Sequence, residues 1–307
     1  MEKISFVIPC YNSEKTIGTV VADINRVIKD DGRYEYEVIL VNDGSRDNTY
    51  QTIKNICGDN TNAIGIDMAR NFGQHAAIMA GFNQATGDIV VCLDDDGQTP
   101  PCEAFKLIDG LDKWDVVFAS YKEKKHSKFR NFGSQVNSWM LESMLSKPKH
   151  LKVTSYFATK RYVIDEVIKY TGSFPYVTGL LLRTTNSIGN VEVNHRERAV
   201  GQSGYSLRKL IALWTNGLTA FSVKPLRIAS YLGIIAAVLG VLYAIWALIN
   251  RMVRPDVPLG WTTIIVLLLI LGGMILFVLG MIGEYIGRIY ISMNSSPQYV
   301  IREKIKK

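Results

Sequence analysis

The chain has 307 residues, a formal net charge of +7 and 48% hydrophobic content, enough for one sizeable domain and an appendage. No nucleic-acid motif accompanies the excess of lysine and arginine, so nucleic acid is excluded as a partner and an anionic lipid surface is expected instead. The four cysteines (Cys10, Cys57, Cys92, Cys102) lack C-x-x-C spacing and the four histidines are scattered; this argues against a zinc site and suits a reducing compartment.

The first hundred residues alternate in character. Apolar strands are predicted at 4–9, 37–41, 63–68 and 88–93, with helical stretches at 15–29, 48–57 and 74–85 between them. The chain enters its first strand directly, so no leader segment is expected. This alternation predicts an α/β fold with a Rossmann-like, mostly parallel sheet covered on both faces. Ligands of such sheets bind beyond the carboxyl ends of the strands. Four of those ends are polar and turn-forming: Pro9-Cys10-Tyr11-Asn12, Asn42-Asp43-Gly44-Ser45, Arg70-Asn71-Phe72-Gly73 and Asp94-Asp95-Asp96-Gly97-Gln98. The last follows a buried-strand pattern and stops in three carboxylates. Mg²⁺ is usually held by one or two carboxylates plus substrate phosphates, so the triplet reads as a seat for a metal-bound nucleotide; a solvated acidic turn is the alternative, and the convergence of four polar strand ends on one crevice weakens it. Neither G-x-G-x-x-G nor G-K-[ST] is present, which disfavours a dinucleotide dehydrogenase or a P-loop enzyme.

Beyond Trp114 one more strand is predicted at 114–119. The basic run from Lys122 to Arg130 follows, read either as a solvated surface or as facing phosphate or membrane. Residues 206–223 place Leu207, Leu210, Ile211, Trp214, Leu218 and Phe221 at helical spacing, predicting an amphipathic helix in the membrane interface. Residues 228–249 and 262–283 are nearly free of charge, and each has the ~20 residues a helix needs to cross a bilayer. Their connector carries Arg251, Arg254, Pro255, Asp256 and Pro258, as a polar turn would. Arg208, Lys209, Lys224 and Arg227 precede the hairpin, and Arg302, Lys304, Lys306 and Lys307 follow it. Both termini and the catalytic domain are therefore expected on the cytoplasmic side of the membrane. The expected division is a catalytic domain over 1–204, a juxtamembrane helix over 205–227, a transmembrane hairpin over 228–290 and a cytoplasmic basic tail over 291–307.

The ordered set of motifs resembles the membrane-anchored polyprenyl-phosphate glycosyltransferases of family 2, with the GT-A fold, such as bactoprenol glucosyltransferases and dolichol-phosphate mannose synthases. It comprises the four strand ends above, Gln74 after the third, Pro100-Pro101 after the fourth, Arg198-Ala199-Val200-Gly201-Gln202-Ser203-Gly204-Tyr205, Gly283-Glu284-Tyr285-Ile286-Gly287-Arg288 and Pro297-Gln298-Tyr299-Val300. The resemblance implies inverting transfer from a nucleotide sugar, UDP-linked, to a polyprenyl phosphate such as undecaprenyl phosphate, in a bacterial cytoplasmic membrane. It implies a nucleotide pocket from Pro9, Tyr11, Glu14, Asp43, Asn71, Asp94 and Asp95, with Asp43 accepting from a base N–H. Mg²⁺ or Mn²⁺ would be bound by Asp94, Asp96 and the Gln98 amide oxygen, while Asp95 points the other way. Arg196, Arg198 and Ser203 would receive the acceptor phosphate, joined by Lys122. A homo-oligomer is expected, packed through Gly272, Gly273 and Gly280.

The chain departs from the usual pattern at Asn42, at Ser13 before Glu14, at Tyr121-Lys122 and at Gly204. Two other readings are a processive polysaccharide synthase, which would carry a Q-x-x-R-W segment and more spans, and a non-catalytic membrane scaffold, which has no need of Asp94, Asp96 and Gln98 together.

Overall fold

β1 (Lys3–Cys10) has seven of its eight residues buried, the near-continuous apolar run of a strand covered on both faces. It pairs in parallel with β2 (Glu35–Asn42) and β4 (Ile89–Cys92), and β2 pairs in parallel with β3 (Ala63–Met68). In this computed structural model the described residues are 1–121, 142, 148, 150–194, 224–253, 260–293 and 297–307. Lys122, Arg196, Arg198, Ser203, the basic run 122–130 and the expected helix 206–223 lie outside them.

α1 (Ile17–Asp31) buries Ile17, Val20, Val21, Ile24 and Ile28, a stripe at three- and four-residue steps. Each such side chain contributes roughly 2 kcal/mol on burial. Gly32 ends the helix at φ 67°, and its N–H reaches the Ile28 carbonyl, a left-handed stop that glycine adopts without Cβ strain. α2 (Thr49–Asp59) follows β2, and α3 (Gln74–Phe82) follows β3 with every residue from Ala76 to Phe82 buried. A short 3-10 turn at Pro101–Glu103 leads into α4 (Ala104–Asp109), then β5 (Val116–Tyr121), β6 (Phe157–Lys160), α5 (Arg161–Val167), α6 (Val177–Thr184) and β7 (Ile188–Val193).

The sheet has eight strands in the order β7-β5-β6-β4-β1-β2-β3-β8. β6 runs antiparallel to β4 and β5, and β7 is parallel to β5. The carboxyl ends of β1–β5 and β7 therefore lie along one edge, together with the start of β6. β8 (Ile301–Lys306) is antiparallel to β3, with Met68 opposite Ile301. The division drawn from sequence set 291–307 apart as a basic tail; residues 301–306 are instead an edge strand of the sheet. Their short charged run is typical of a sheet edge. Residues 1–210 and 295–307 make one compact unit, and 211–294 make a second.

In the second unit α7 (Lys224–Val253) and α8 (Trp261–Met293) are 30 and 33 residues long. Among the described residues one window, Ile270–Gly287, has the length and apolarity of a membrane span, with a mean hydropathy of 1.9. The apolar stretch Ala229–Tyr243 in α7 is shorter. Leu268 and Leu276 are 67% and 71% exposed.

Candidate active site

The site edge is built from tight turns that follow the strands. Asn12, after β1, is the one described non-glycine residue with positive φ (54°). Its N–H donates to Ser45 Oγ at 3.0 Å, and its side-chain oxygen accepts from the Arg46 N–H at 3.0 Å, so two strand ends hold each other. Gly44 has φ 63°, and a Cβ there would lie 2.5 Å from the Asn71 nitrogen. Only glycine lets the loops after β2 and β3 approach this closely.

Asp43 is buried at the centre of that contact. Its two carboxylate oxygens accept from the N–H groups of Phe72 at 2.7 Å and Gly73 at 3.0 Å. Burial raises its pKa, and the two N–H groups oppose the rise. Asn71 Nδ2 donates to the Asp43 carbonyl at 3.1 Å. Asp43 is thus a clamp on the third strand-end loop, with two of its acceptor positions taken by the protein. Tyr11, in contrast, exposes 47% of its surface at the same edge and offers a ring face. Arg70 stacks its guanidinium over Phe72, 4.4 Å from the ring centre.

The acidic triplet divides as its alternating directions require. Asp95 Oδ2 accepts from the Tyr11 N–H at 3.0 Å, joining β4 to β1. Burial, reinforced by Asp94 and Asp96, raises its pKa to about 6. Asp94 turns the other way. Its Oδ1 accepts from Gln74 Nε2 at 3.1 Å and its Oδ2 from Ser155 Oγ at 2.5 Å. Asp96 Oδ1 accepts from the Gln98 N–H at 3.0 Å, around Gly97 at φ 73°. The phenol of Tyr121, at the end of β5, has its pKa raised by burial and then by the charges of Asp94 and Asp96.

Two carboxylates and an amide form a hard oxygen donor set, the kind Mg²⁺ or Mn²⁺ takes when ligand phosphates complete the coordination. Among the described residues no group of three His, Cys, Asp or Glu side chains is arranged to hold a metal by itself.

The expected residues Tyr11, Asp43, Asn71, Asp94, Asp95, Asp96 and Gln98 thus gather along one edge. Pro9 is buried within β1 opposite Val41 and shapes the strand end. Glu14 points elsewhere: its Oε2 accepts from the Asn48 N–H at 3.0 Å, serving the start of α2. Gln74 belonged to a recognised motif but had no assigned role. Ser155 gave no sequence signal, and Tyr121 stood out only as a departure from the family pattern, because their contacts with the triplet depend on the antiparallel β6 and its neighbour β5. Glu103 was also missed; it is buried and accepts from both the N–H and Nδ2 of Asn194, where β7 ends on this edge.

The glycosyl transferase family 2 model matches residues 5–170, and the GtrB C-terminal hairpin model matches 224–289. The chain is 34% identical to the undecaprenyl-phosphate 4-deoxy-4-formamido-L-arabinose transferase of Proteus mirabilis, over 99% of this chain and 94% of that protein. It is 32% identical to the uncharacterized glycosyltransferase YkcC of Bacillus subtilis, over 97% and 93%. Among solved structures, glucosyl-3-phosphoglycerate synthase from Mycobacterium tuberculosis, in complex with UDP, superposes with a TM-score of 0.55 at 20% identity, covering 71% of this chain and 78% of that one. The same protein with Mn²⁺, UDP-glucose and phosphoglyceric acid gives 0.55 at 19% identity, again over 71% and 78%. At that identity the likeness is one of fold, a mixed α/β sheet of GT-A type.

Proposed function

The chain belongs to glycosyl transferase family 2, and we propose that it transfers a sugar from a UDP-linked donor to undecaprenyl phosphate, with inversion, giving a polyprenyl-phosphate-linked monosaccharide. The observation that carries this reading is the meeting of Asp94 and Asp96 with the Asp43 turn and the exposed Tyr11 ring on one sheet edge. A nucleoside diphosphate has the shape and charge to span them. The relatives named for undecaprenyl-phosphate sugar transfer, matched over nearly the whole chain, support the lipid acceptor.

Tyr11 stacks on the base, and Asp43 offers it the lone pairs that Phe72 and Gly73 leave open. Gln74 and Ser155 fix the Asp94 carboxylate, and the Gly97 turn fixes Asp96, so both oxygens are preorganised toward the diphosphate. Mg²⁺ or Mn²⁺ held by Asp94, Asp96 and the Gln98 amide oxygen would supply Lewis-acid neutralisation of the leaving diphosphate; Mn²⁺ accompanies UDP-glucose in the Mycobacterium tuberculosis synthase. Arg198, with Arg196, Ser203 and Lys122, orients the acceptor phosphate, which suits the planar guanidinium fork. A phosphate monoester is already anionic at neutral pH, so no tuned general base is needed. A phosphate oxygen attacks the anomeric carbon in line, a C–O bond forms, and the bond to the diphosphate breaks with its electron pair leaving on UDP. α7 and α8 both cross the cytoplasmic membrane, with the catalytic unit and both termini on the cytoplasmic side, and the hairpins associate into a homo-oligomer.

The test is direct. Full-length protein in detergent, given undecaprenyl phosphate, Mg²⁺ or Mn²⁺ and radiolabelled UDP-glucose, UDP-GlcNAc or UDP-4-deoxy-4-formamido-L-arabinose, should form an organic-extractable product with one of them. No lipid-linked product from any UDP-sugar refutes the reading.

A further inference from the structure

β8 joins the sheet with a shift in register: Asp67 lies opposite Glu303 and Met68 opposite Ile301, leaving Arg302 as the extra residue at that step. A bulge of this kind bends its strand and re-aims a side chain. Arg302 Nη1 donates to Asp67 Oδ2 at 3.2 Å, and Nη2 donates to the Ala69 carbonyl at 2.7 Å. Asp67 is buried. Its other oxygen accepts from Asn42 Nδ2 at 2.7 Å, and Asn42 Oδ1 in turn accepts from the Ser45 N–H at 3.2 Å. One guanidinium therefore grips the root of both donor-side loops. Through Asp67 and Asn42 it reaches the turn at 43–45. Through Ala69 it reaches the loop whose Phe72 and Gly73 N–H groups Asp43 holds.

We propose that Arg302 is a positioning residue for the donor pocket, so that nucleotide affinity depends on the strand that returns to the sheet after the helical hairpin. The inference rests on the donor-side reading above. The physical reason is charge and geometry together. A buried carboxylate needs compensation, and the planar fork satisfies Asp67 and a backbone carbonyl at once. Without it the Asn42 amide alone faces the Asp67 charge, and the amide orientation that receives the Ser45 N–H is no longer enforced. The arginine itself is largely exposed, so its loss is expected to alter loop geometry more than global stability.

The probe is UDP with Mn²⁺, titrated calorimetrically into full-length protein in detergent. Arg302→Ala should weaken UDP binding about fivefold, the scale of one largely exposed ion pair. The donor KM should rise in step, while the acceptor KM and kcat stay within about twofold. Arg302→Lys should recover part of the loss, and Lys304→Ala, on the same strand, should bind UDP as the wild type does. In an Asp67→Asn background, which removes the buried charge, Arg302→Ala should change UDP affinity by less than about twofold. This cycle also carries the test if the single alanine variant does not fold. Unchanged UDP affinity in Arg302→Ala, equal weakening by Lys304→Ala, or donor and acceptor KM rising together each overturn the inference. Wild-type protein that binds no UDP refutes the donor reading itself, a different result.

Discussion

Asp43 and Asp67, at the ends of β2 and β3, are 3% and 2% exposed, and every carboxylate oxygen of the pair meets a donor from the protein: Phe72, Gly73, Asn42 and Arg302. Asp94, Asp95 and Asp96, at the end of β4, are all half-buried and stand side by side. Their mutual repulsion contributes to raising the Asp95 pKa. Each oxygen of the first pair gives one acceptor position to the fold and so fixes the shape of two loops. The triplet keeps like charges together, an arrangement whose cost a bound cation relieves. Similar residues at adjacent strand ends thus serve opposite ends, one giving form and the other charge.

The largest expected effect separates the two. Asp96→Ala should lower sugar transfer about a thousandfold, ~4 kcal/mol of transition-state stabilisation, with a melting temperature near that of the wild type. Transfer that persists in radiolabel assays would place the chemistry elsewhere. His75, at the start of α3, is packed edge-on against Tyr176 with ring centres 5.0 Å apart and has a buried Nδ1 without a hydrogen-bond partner. Burial lowers its pKa to about 4, from an ordinary 6.5. The unfolded chain therefore takes up this proton first on acidification, so the stability His75 contributes is fully present above pH ~6.5 and is lost as pH falls toward ~4. His75→Gln should remove about 3 kcal/mol of that acid sensitivity, read as a flatter dependence of melting temperature on pH over that window. An equally steep curve would show that the ring is already solvated.

Asp43→Ala should act on the fold first. It strands the Phe72 and Gly73 N–H groups and should cost about 2 kcal/mol, seen as a lower melting temperature before any ligand is added. Unchanged melting would mean the clamp is dispensable and the contrast with the triplet false. Tyr11→Ala is the mildest: loss of base stacking should weaken UDP binding by about 1 kcal/mol, some fivefold by titration, with no change in stability. An unaltered affinity would remove Tyr11 from the pocket.

Much of this was legible in the chain. β1–β4 were expected within two residues of where they lie, because parallel strands buried on both faces are continuous apolar runs, and α1 was expected at 15–29 between the first two. The acidic triplet was legible because it ends an apolar run in line with three other polar, turn-forming strand ends. β6 and β7 were not, since Phe157–Lys160 is four residues long and Ile188–Val193 alternates weakly. β8 was read as a tail because a charged edge strand and a solvated basic run have the same composition.

Local pattern alone determined the α/β class, the order of the strand ends, the acidic seat on β4 and the presence of apolar helices near the carboxyl end. Those properties depend on side-chain type and spacing within about ten residues, a range over which periodicity is informative. Tertiary structure alone decided that Asp43 faces two backbone N–H groups, that Ser155 holds Asp94, and that Arg302 reaches Asp67 from 235 positions away. Each is a contact between segments distant in the chain, fixed by strand order and register, and no local periodicity encodes either.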